Sequence, residues 1–171
     1  MALKGFERLC VKRMGGVDSL FLADAGDVES VGYDPVSGVF TSIALRAGAA
    51  FMRYDFREDS CQMSETVERC GGAVSVKHEV TFVIPGFDAP QREATAQITG
   101  CVNGVVAIVV TSQGEAFLAG YSHIFGRERP LRLASAKNTT GIKPTDAPGS
   151  SITLSSEDTD LSCLYKGILP R

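Results

Sequence analysis

The sequence lacks most of the residue patterns that mark a catalytic or metal-binding protein. Its 171 residues include no tryptophan and only two histidines, His78 and His123. Neither histidine stands beside a cysteine or carboxylate at metal-ligand spacing, and the chain has no G-x-S-x-G elbow, P-loop or G-x-G-x-x-G motif. We therefore expect no enzyme activity, no catalytic residue, no metal and no cofactor. His78 falls on the apolar parity of a predicted strand, which favours a hydrogen-bonded core or interface histidine, and we interpret His123 in the same way.

Signals for export and for membrane insertion are also missing. The N-terminus MALKGFERLCVKRMGG is mixed and charged, without the apolar run of about 7 to 15 residues that a secretory signal carries. The longest apolar run, Val105 to Val110, is far short of the roughly 20 residues that cross a bilayer. Five scattered cysteines form no Cys-x-x-Cys pair, which is typical of reduced thiols in a cytosol. We expect no membrane partner.

The net charge does not favour general electrostatic binding to nucleic acid. Seventeen Lys and Arg against 20 Asp and Glu leave a net charge of −3, so contact with DNA is expected to be non-adhesive. A hydrophobic content of 44% in 171 residues predicts a single folded domain spanning residues 1–171.

Turn signals such as Gly15-Gly16, Gly71-Gly72, Pro85-Gly86 and Asn103-Gly104 recur at short intervals and separate runs rich in Val, Ile, Phe and Thr. This pattern predicts antiparallel β structure. The candidate strands are Val17 to Asp24, Ser30 to Asp34, Val39 to Leu45, Ala49 to Glu58, Ser60 to Val67, Ala73 to Ile84, Val105 to Ser112, Ala116 to Ile124, Leu131 to Ala134, Ile152 to Glu157 and Leu161 to Gly167.

The clearest alternation of apolar and polar residues runs from Val74 to Ile84, with one buried and one wet face. Its expected partner is Ala49 to Glu58, which alternates in the same way. The polar segment from Asp59 to Gly72 either continues this hairpin or forms a mobile loop, and its composition favours an exposed excursion.

One helix is predicted from Ala89 to about Val102, with Asp88 as N-cap, Pro90 in the first turn and Gln91 completing a capping box. Residues 138–151 are rich in Thr, Gly, Pro and Ser, a composition that predicts a long loop. Loops of this length are often binding segments or disordered connectors. The fold class is therefore mainly β (α+β): an antiparallel β-sandwich or barrel with a long hairpin and one flanking α-helix.

Several blocks together give the chain a resemblance to a known family. They are GGVDSLFLADAGDV, the hairpin with SVKHEVTFVI, the single helix, VNGVVAIVVTSQGEAFLAGYS and HIFGRERPLRLASAKNTTGIKPTDAPGSSITLSSEDTD. From about Gly16 to Gly167 the chain resembles the tail tube proteins of tailed bacteriophages and prophages. The resemblance implies a virion structural protein of the tail, assembled in the host cytoplasm. Its copies would form rings, expected to be hexameric, that stack into a tube for genome ejection.

The resemblance also implies partners and surfaces. The partners are further copies of the chain, other tail proteins, and DNA that passes without specific binding. Residues 49–67 and 73–84 would form the inner wall, with an acidic excess among the lumen-facing side chains Arg53, Asp55, Arg57, Asp59, Glu65, Lys77 and Glu79. Contacts between rings or subunits would come from an N-terminal arm (residues 1–14) and the loop 138–151, and the side chains expected there are Lys12, Arg13, Arg127, Arg129, Arg132, Lys143 and Asp146.

Three alternatives stay open at the level of sequence. A tail terminator, neck or baseplate protein would share the fold but stop at a single ring. The inner tube of a contractile injection system would use the same architecture to deliver protein. A hydrolase would need a thiol such as Cys61 or Cys101 paired with His78.

Overall fold

The computed structural model describes residues 5–6 and 12–170, in which β-strands predominate. One α-helix, α1, spans Ala89–Gly100. The strands are β1 (Val17–Asp24), β2 (Val28–Asp34), β3 (Val39–Leu45), β4 (Met52–Tyr54), β5 (Gln62–Cys70), β6 (Ala73–Pro85), β7 (Val105–Thr111), β8 (Ala116–Ala119), β9 (Tyr121–Ser122), β10 (Arg127–Glu128), β11 (Arg132–Thr139), β12 (Gly149–Asp158) and β13 (Leu164–Tyr165).

Two sheets make up most of the fold. Sheet A has seven strands in the order β2-β3-β13-β8-β7-β1-β4, and sheet B has four in the order β11-β12-β6-β5. Every pair in sheet B is antiparallel, whereas sheet A contains one parallel pair, β13 with β3. The expectation of a mainly β fold with one helix is confirmed.

The main core lies between the two sheets. Leu20 and Val109 of sheet A and Phe82 and Ile152 of sheet B are fully buried in one apolar cluster, which Ile98 of α1 closes on one side. Strand β6 supplies this cluster from alternate positions because successive side chains of a strand point to opposite faces. The alternation predicted from Val74 to Ile84 is confirmed from Val76 onward.

A second core lies on the other face of sheet A. Ile108 and Leu118 pack there with Phe40 and Tyr165, which belong to strands of the same sheet. Sheet A must therefore curl so that its outer strands cover its centre. Strand β7 is buried on both faces because it contributes alternate residues to each core.

Helix α1 begins as the sequence predicts, at the N-cap Asp88, whose carboxylate accepts a hydrogen bond from the backbone N–H of Gln91. The reciprocal half of the predicted capping box is not formed. Instead, the buried Gln91 side chain donates to Thr95 and to Asn138 of β11, so it ties the helix to sheet B.

The partner predicted for the long strand β6 is wrong. The first nine residues of β6 pair with the whole length of β5 through a two-residue turn at Gly71 and Gly72, whose φ values of 56° and 93° suit glycine. The expected partner, Ala49 to Glu58, contributes only β4, which joins β1 in sheet A. The segment from Asp59 to Gly72 is mostly strand because an edge strand can carry polar side chains toward solvent.

The loop predicted at residues 138–151 is shorter than expected. Strands β11 and β12 form a hairpin that runs up to the pair Thr139 and Gly149, so the loop proper covers residues 140–148. Thr139 and Ser151, at the two ends of the hairpin, point to the face of sheet B away from sheet A, whereas Ser150 is fully buried.

Candidate subunit interface

The face of sheet B that points away from sheet A is polar along all four strands. We define it as the outer face; on β6 it comprises Ser75, Lys77, Glu79, Thr81 and Val83. The pairing registers bring many small hydroxyl side chains onto this face from the four strands: Ser64, Thr66, Ser75, Thr81, Ser135, Thr139, Ser151, Thr153 and Ser155. Such side chains present short hydrogen-bonding groups and no apolar anchor.

Charges on the outer face are balanced. Six charged side chains lie there, three acidic and three basic: Glu68, Glu79, Glu157, Lys77, Arg132 and Lys137. Lys77 lies 2.8 Å from Glu79, and the hydrogen bond and charge of Glu79, helped by Glu157 and Glu68, raise the pKa of Lys77.

Sheet B has two long open edges. Strand β5, with nine residues, is hydrogen-bonded only to β6, and β11, with eight, only to β12 within the part of the chain that the structure describes. Every residue of β11 is exposed. Near the turn of the β5–β6 hairpin, Val67 and Val74 are 57% and 47% exposed, so the hairpin tip extends beyond the core. Both edges offer unpaired backbone groups to another chain.

The seven residues expected to face a lumen do not share one face, because the predicted hairpin pairing was wrong. Lys77 and Glu79 lie on the outer face of sheet B. Arg53 and Asp55 form an exposed ion pair, with Nε and Oδ1 3.3 Å apart, in and just after β4 at the edge of sheet A. Asp59 occupies an exposed turn with a φ of 56°.

Arg57 anchors the loop 140–148 to the body of the protein. Its Nη2 donates to the carbonyl oxygens of Ala147 at 3.2 Å and Pro148 at 2.8 Å. Its backbone N–H donates to the carbonyl of Val83 in β6. The guanidinium is therefore committed to the base of the loop, close to Gly149 and Val83 at one end of the outer face.

Two of the residues expected at inter-ring contacts lie in this loop. The Asp146 carboxylate accepts hydrogen bonds from the backbone N–H groups of Lys143 and Ile142, both at 2.9 Å, and these bonds lower its pKa. Asp146 thus shapes the loop from within, whereas Lys143 is exposed and Ile142 is 97% exposed at the tip. A fully exposed isoleucine is a suitable contact point for a partner.

The N-terminal arm, predicted over residues 1–14, lies largely outside the described residues. Lys12 and Arg13 are described and exposed. Arg13 lines a groove of about 550 Å³ beside β5, together with Met63, Glu115 and Phe117. Gln113 donates to the carbonyl of Met14 and fixes the entrance of this segment.

The predicted arginine cluster divides between two places. The guanidinium groups of Arg127 and Arg129 lie 6.0 Å and 4.7 Å from the ring centre of Phe125. These are cation–π contacts. Arg132 is separate, on β11 at the open edge of sheet B.

Glu65 lies on the opposite side of sheet B from Lys77 and Glu79, because the register pairs it with the inward-pointing His78. The Glu65 carboxylate accepts hydrogen bonds from His78 Nδ1, at 2.9 Å, and from the backbone and side chain of Ser162. Burial raises the pKa of Glu65, but these hydrogen bonds outweigh it and leave the pKa below its ordinary value. His78 is a buried, hydrogen-bonded core histidine, as expected.

A group that the sequence analysis missed brings a thiol, an imidazole and a carboxylate together. Cys163 Sγ lies 3.5 Å from Nδ1 of His123, whose Nε2 lies 3.6 Å from Oδ2 of Asp160. This order resembles a nucleophile, base and orienting acid. However, burial raises the pKa of the Cys163 thiol, and the adjoining cavity of about 10 Å³ is too small for an organic substrate.

The thiols proposed for the hydrolase alternative are not activated by His78, whose ring nitrogens contact Glu65 and the carbonyl of Asp160. Burial raises the pKa of Cys61 to about 12. Among residues 5–6 and 12–170, no three His, Cys, Asp or Glu side chains are arranged so that they could hold a metal ion. Within the same residues, α1 is too short and too polar to be a membrane span.

Comparison of the chain with protein-family models, with curated proteins and with solved structures finds no match.

Proposed function

We propose that this chain is the subunit of a ring in which the four-stranded sheets of neighbouring copies join edge to edge, and that the rings stack into a tube of the bacteriophage tail type. The observation that carries this proposal is sheet B itself. It combines two long open edges with a largely polar outer face, on which the acidic and basic residues of the four strands are equal in number.

The even number of strands in sheet B is compatible with a closed ring of copies related by rotation. With four antiparallel strands, β5 and β11 at the two edges run in opposite directions. Rotation about a ring axis keeps the direction of each strand along that axis, so β5 of one copy would meet β11 of the next in the antiparallel sense. The contact is heterologous, as a closed ring requires, and it pairs both open edges of sheet B.

The outer face of sheet B would then line the channel. Basic side chains that bind phosphate give salt-sensitive affinity, which would slow a passing duplex. On this face Lys77 is already paired with Glu79, and acidic and basic groups are equal in number. Short hydroxyl groups and neutralised charges support passage without tight binding.

Matched substitutions on β11 test the edge-to-edge contact. Ala136 and Ser135 are neighbours, both exposed in the single chain, but Ala136 points toward α1 and Ser135 to the outer face. Joining β5 to β11 would bury the Ala136 position and leave the Ser135 position facing water. We expect Ala136→Lys to prevent assembly, because an unpaired buried charge opposes the contact, and Ser135→Lys to permit it.

Negative-stain electron microscopy of the purified protein and both variants gives the result. Hollow filaments from the wild type and from Ser135→Lys, with single particles from Ala136→Lys, support the proposal. Isolated rings would favour a single-ring tail protein such as a terminator. A wild type that stays monomeric at high concentration, or filaments that Ala136→Lys leaves intact, would contradict edge joining.

A further inference from the structure

Both histidines of the chain contact one short segment, residues 160–163, which follows β12. Nε2 of His78, on β6, lies 3.0 Å from the backbone carbonyl oxygen of Asp160. His123 contacts both ends of the segment, through the Asp160 carboxylate and the Cys163 thiol. The segment is thus held from two sides by the two histidine side chains.

Glu65 of the edge strand β5 completes this contact. Its Oε1 accepts a hydrogen bond from the backbone N–H of Ser162 at 2.7 Å, a second from the Ser162 hydroxyl, and lies 2.9 Å from Nδ1 of His78. His78 is 5% exposed, so water competes little for these bonds.

The two hydrogen-bond partners of His78 fit its imidazolium form. A carbonyl oxygen and an ionised carboxylate are both acceptors, so the two ring nitrogens that face them must both donate. Only the imidazolium form carries two N–H groups. When His78 loses a proton, a lone pair must face either Glu65 or the Asp160 carbonyl, and one of the two hydrogen bonds is lost.

We propose that residues 160–163 form a pH-dependent clasp, which holds the C-terminal segment on strand β5 while His78 is protonated and loosens when His78 is deprotonated. The charged and titratable groups around His78 are Glu65 from β5 and, along the small adjoining cavity, Asp158, Cys163, His123 and Arg129.

The clasp acts on an open edge of sheet B. Glu65 lies in the middle of β5, whose outer side has no strand partner among the described residues. Loosening the segment therefore changes the support of the strand that a second chain would join. The clasp itself does not depend on the proposed ring, because all of its contacts lie within one chain.

Hydrogen exchange at the backbone amide of Ser162 tests the clasp directly, since that amide donates to Glu65. We would compare protection factors, corrected for intrinsic exchange, between about pH 5.5 and pH 8.5, a range that brackets histidine titration. In the wild type we expect protection to fall by about tenfold across this range, the size of one lost hydrogen bond to a charged group.

Two variants separate the clasp from a general effect of pH. His78→Gln cannot donate at both positions, so its Ser162 amide is expected to be weakly protected at every pH. Glu79→Gln makes a matched change on the outer face and should follow the wild type. Protection in the wild type that is independent of pH would overturn the proposal.

Nitrogen-15 NMR of the His78 ring gives a reading that needs no variant. At the acidic end of the range both ring nitrogens should carry protons, and the ring should titrate in step with Ser162 protection. A neutral ring there, with the fold intact, would refute the clasp. Filament formation plays no part in either measurement, so failure of the clasp and failure of the ring are distinguishable.

Discussion

Replacing Arg57 tests the link between the loop 140–148 and the rest of the protein. Arg57→Met keeps most of the apolar stem and removes the guanidinium that donates to Ala147 and Pro148. The bond to Pro148 is partly buried and has a charged donor, so we assign it about 1.5 kcal/mol, and the longer, exposed bond to Ala147 about 0.5 kcal/mol. A loss of about 2 kcal/mol in a domain of this size lowers Tm by about 4–8 °C.

The assay is thermal unfolding followed by circular dichroism, together with hydrogen exchange across residues 140–148. Arg53→Met serves as the control because Arg53 makes an ion pair in which both side chains are largely exposed, at 60% and 88%, and its loss should change stability by less than about 0.5 kcal/mol. We expect faster exchange in the loop only for Arg57→Met. Equal Tm values for the two variants, or an unchanged loop, would refute the assignment of Arg57 as the anchor.

Four further predictions concern the cap, the thiols, the acid response and the loop. Asp88→Ala should cost about 1 kcal/mol in urea unfolding because the N–H of Gln91 loses its acceptor, and an unchanged midpoint would count against the cap. Cys61 should resist alkylation at pH 8 in the folded protein, since a pKa of about 12 leaves roughly one thiol in ten thousand ionised, and rapid labelling of Cys61 would disprove this. Because folding lowers the pKa of Glu65, this residue contributes to the free energy of unfolding above its unfolded-state pKa, and the contribution is lost as the pH falls through its folded-state pKa. Glu65→Gln should therefore weaken the loss of stability at acid pH in urea titrations. An unchanged acid dependence would exclude Glu65 as its source. Deleting residues 140–148 should leave the fold intact and abolish the stacking of rings in electron micrographs, so unimpaired tubes would remove the loop from the stacking contact.

Local signals predicted the elements whose own residues decide their structure. β1 and β3 have the predicted bounds because apolar alternation and flanking turn residues define both. The start of α1 was also predictable, since the N-cap Asp88 and the proline after it act within one helical turn. Such interactions depend on a few neighbouring residues, so they can be predicted from the sequence without knowledge of the tertiary structure.

The pairing of strand β5 shows where sequence reasoning failed. A strand was predicted from Ser60 to Val67, but the polar residues around it indicated an exposed excursion and not an edge strand paired with β6. The adjacent glycines Gly71 and Gly72 were the available signal, because a two-residue turn fixes the register and so places Glu65 opposite His78. Without that register, Glu65 was grouped with Lys77 and Glu79, although it lies on the opposite side of the sheet.

The group of Cys163, His123 and Asp160 could not have been found in this way. Cys163 and His123 are separated by 40 residues and meet only because β13 joins sheet A beside β8. Stacking of His123 on Tyr33, with ring centres 4.8 Å apart, adds a third distant segment. No pattern within a window of residues encodes such a meeting.

The even number of strands in sheet B constrains how such a subunit can change by insertion or loss. With one more strand at either edge, the two edge strands of sheet B would run in the same direction. Neighbouring copies in the proposed ring would then meet through parallel strands at every interface, and the antiparallel contact would be lost. A whole hairpin, by contrast, could be gained or lost and the two edge strands would still run in opposite directions. In descendants of this chain, the channel diameter should therefore change by two strands per copy or by a change in the number of copies per ring.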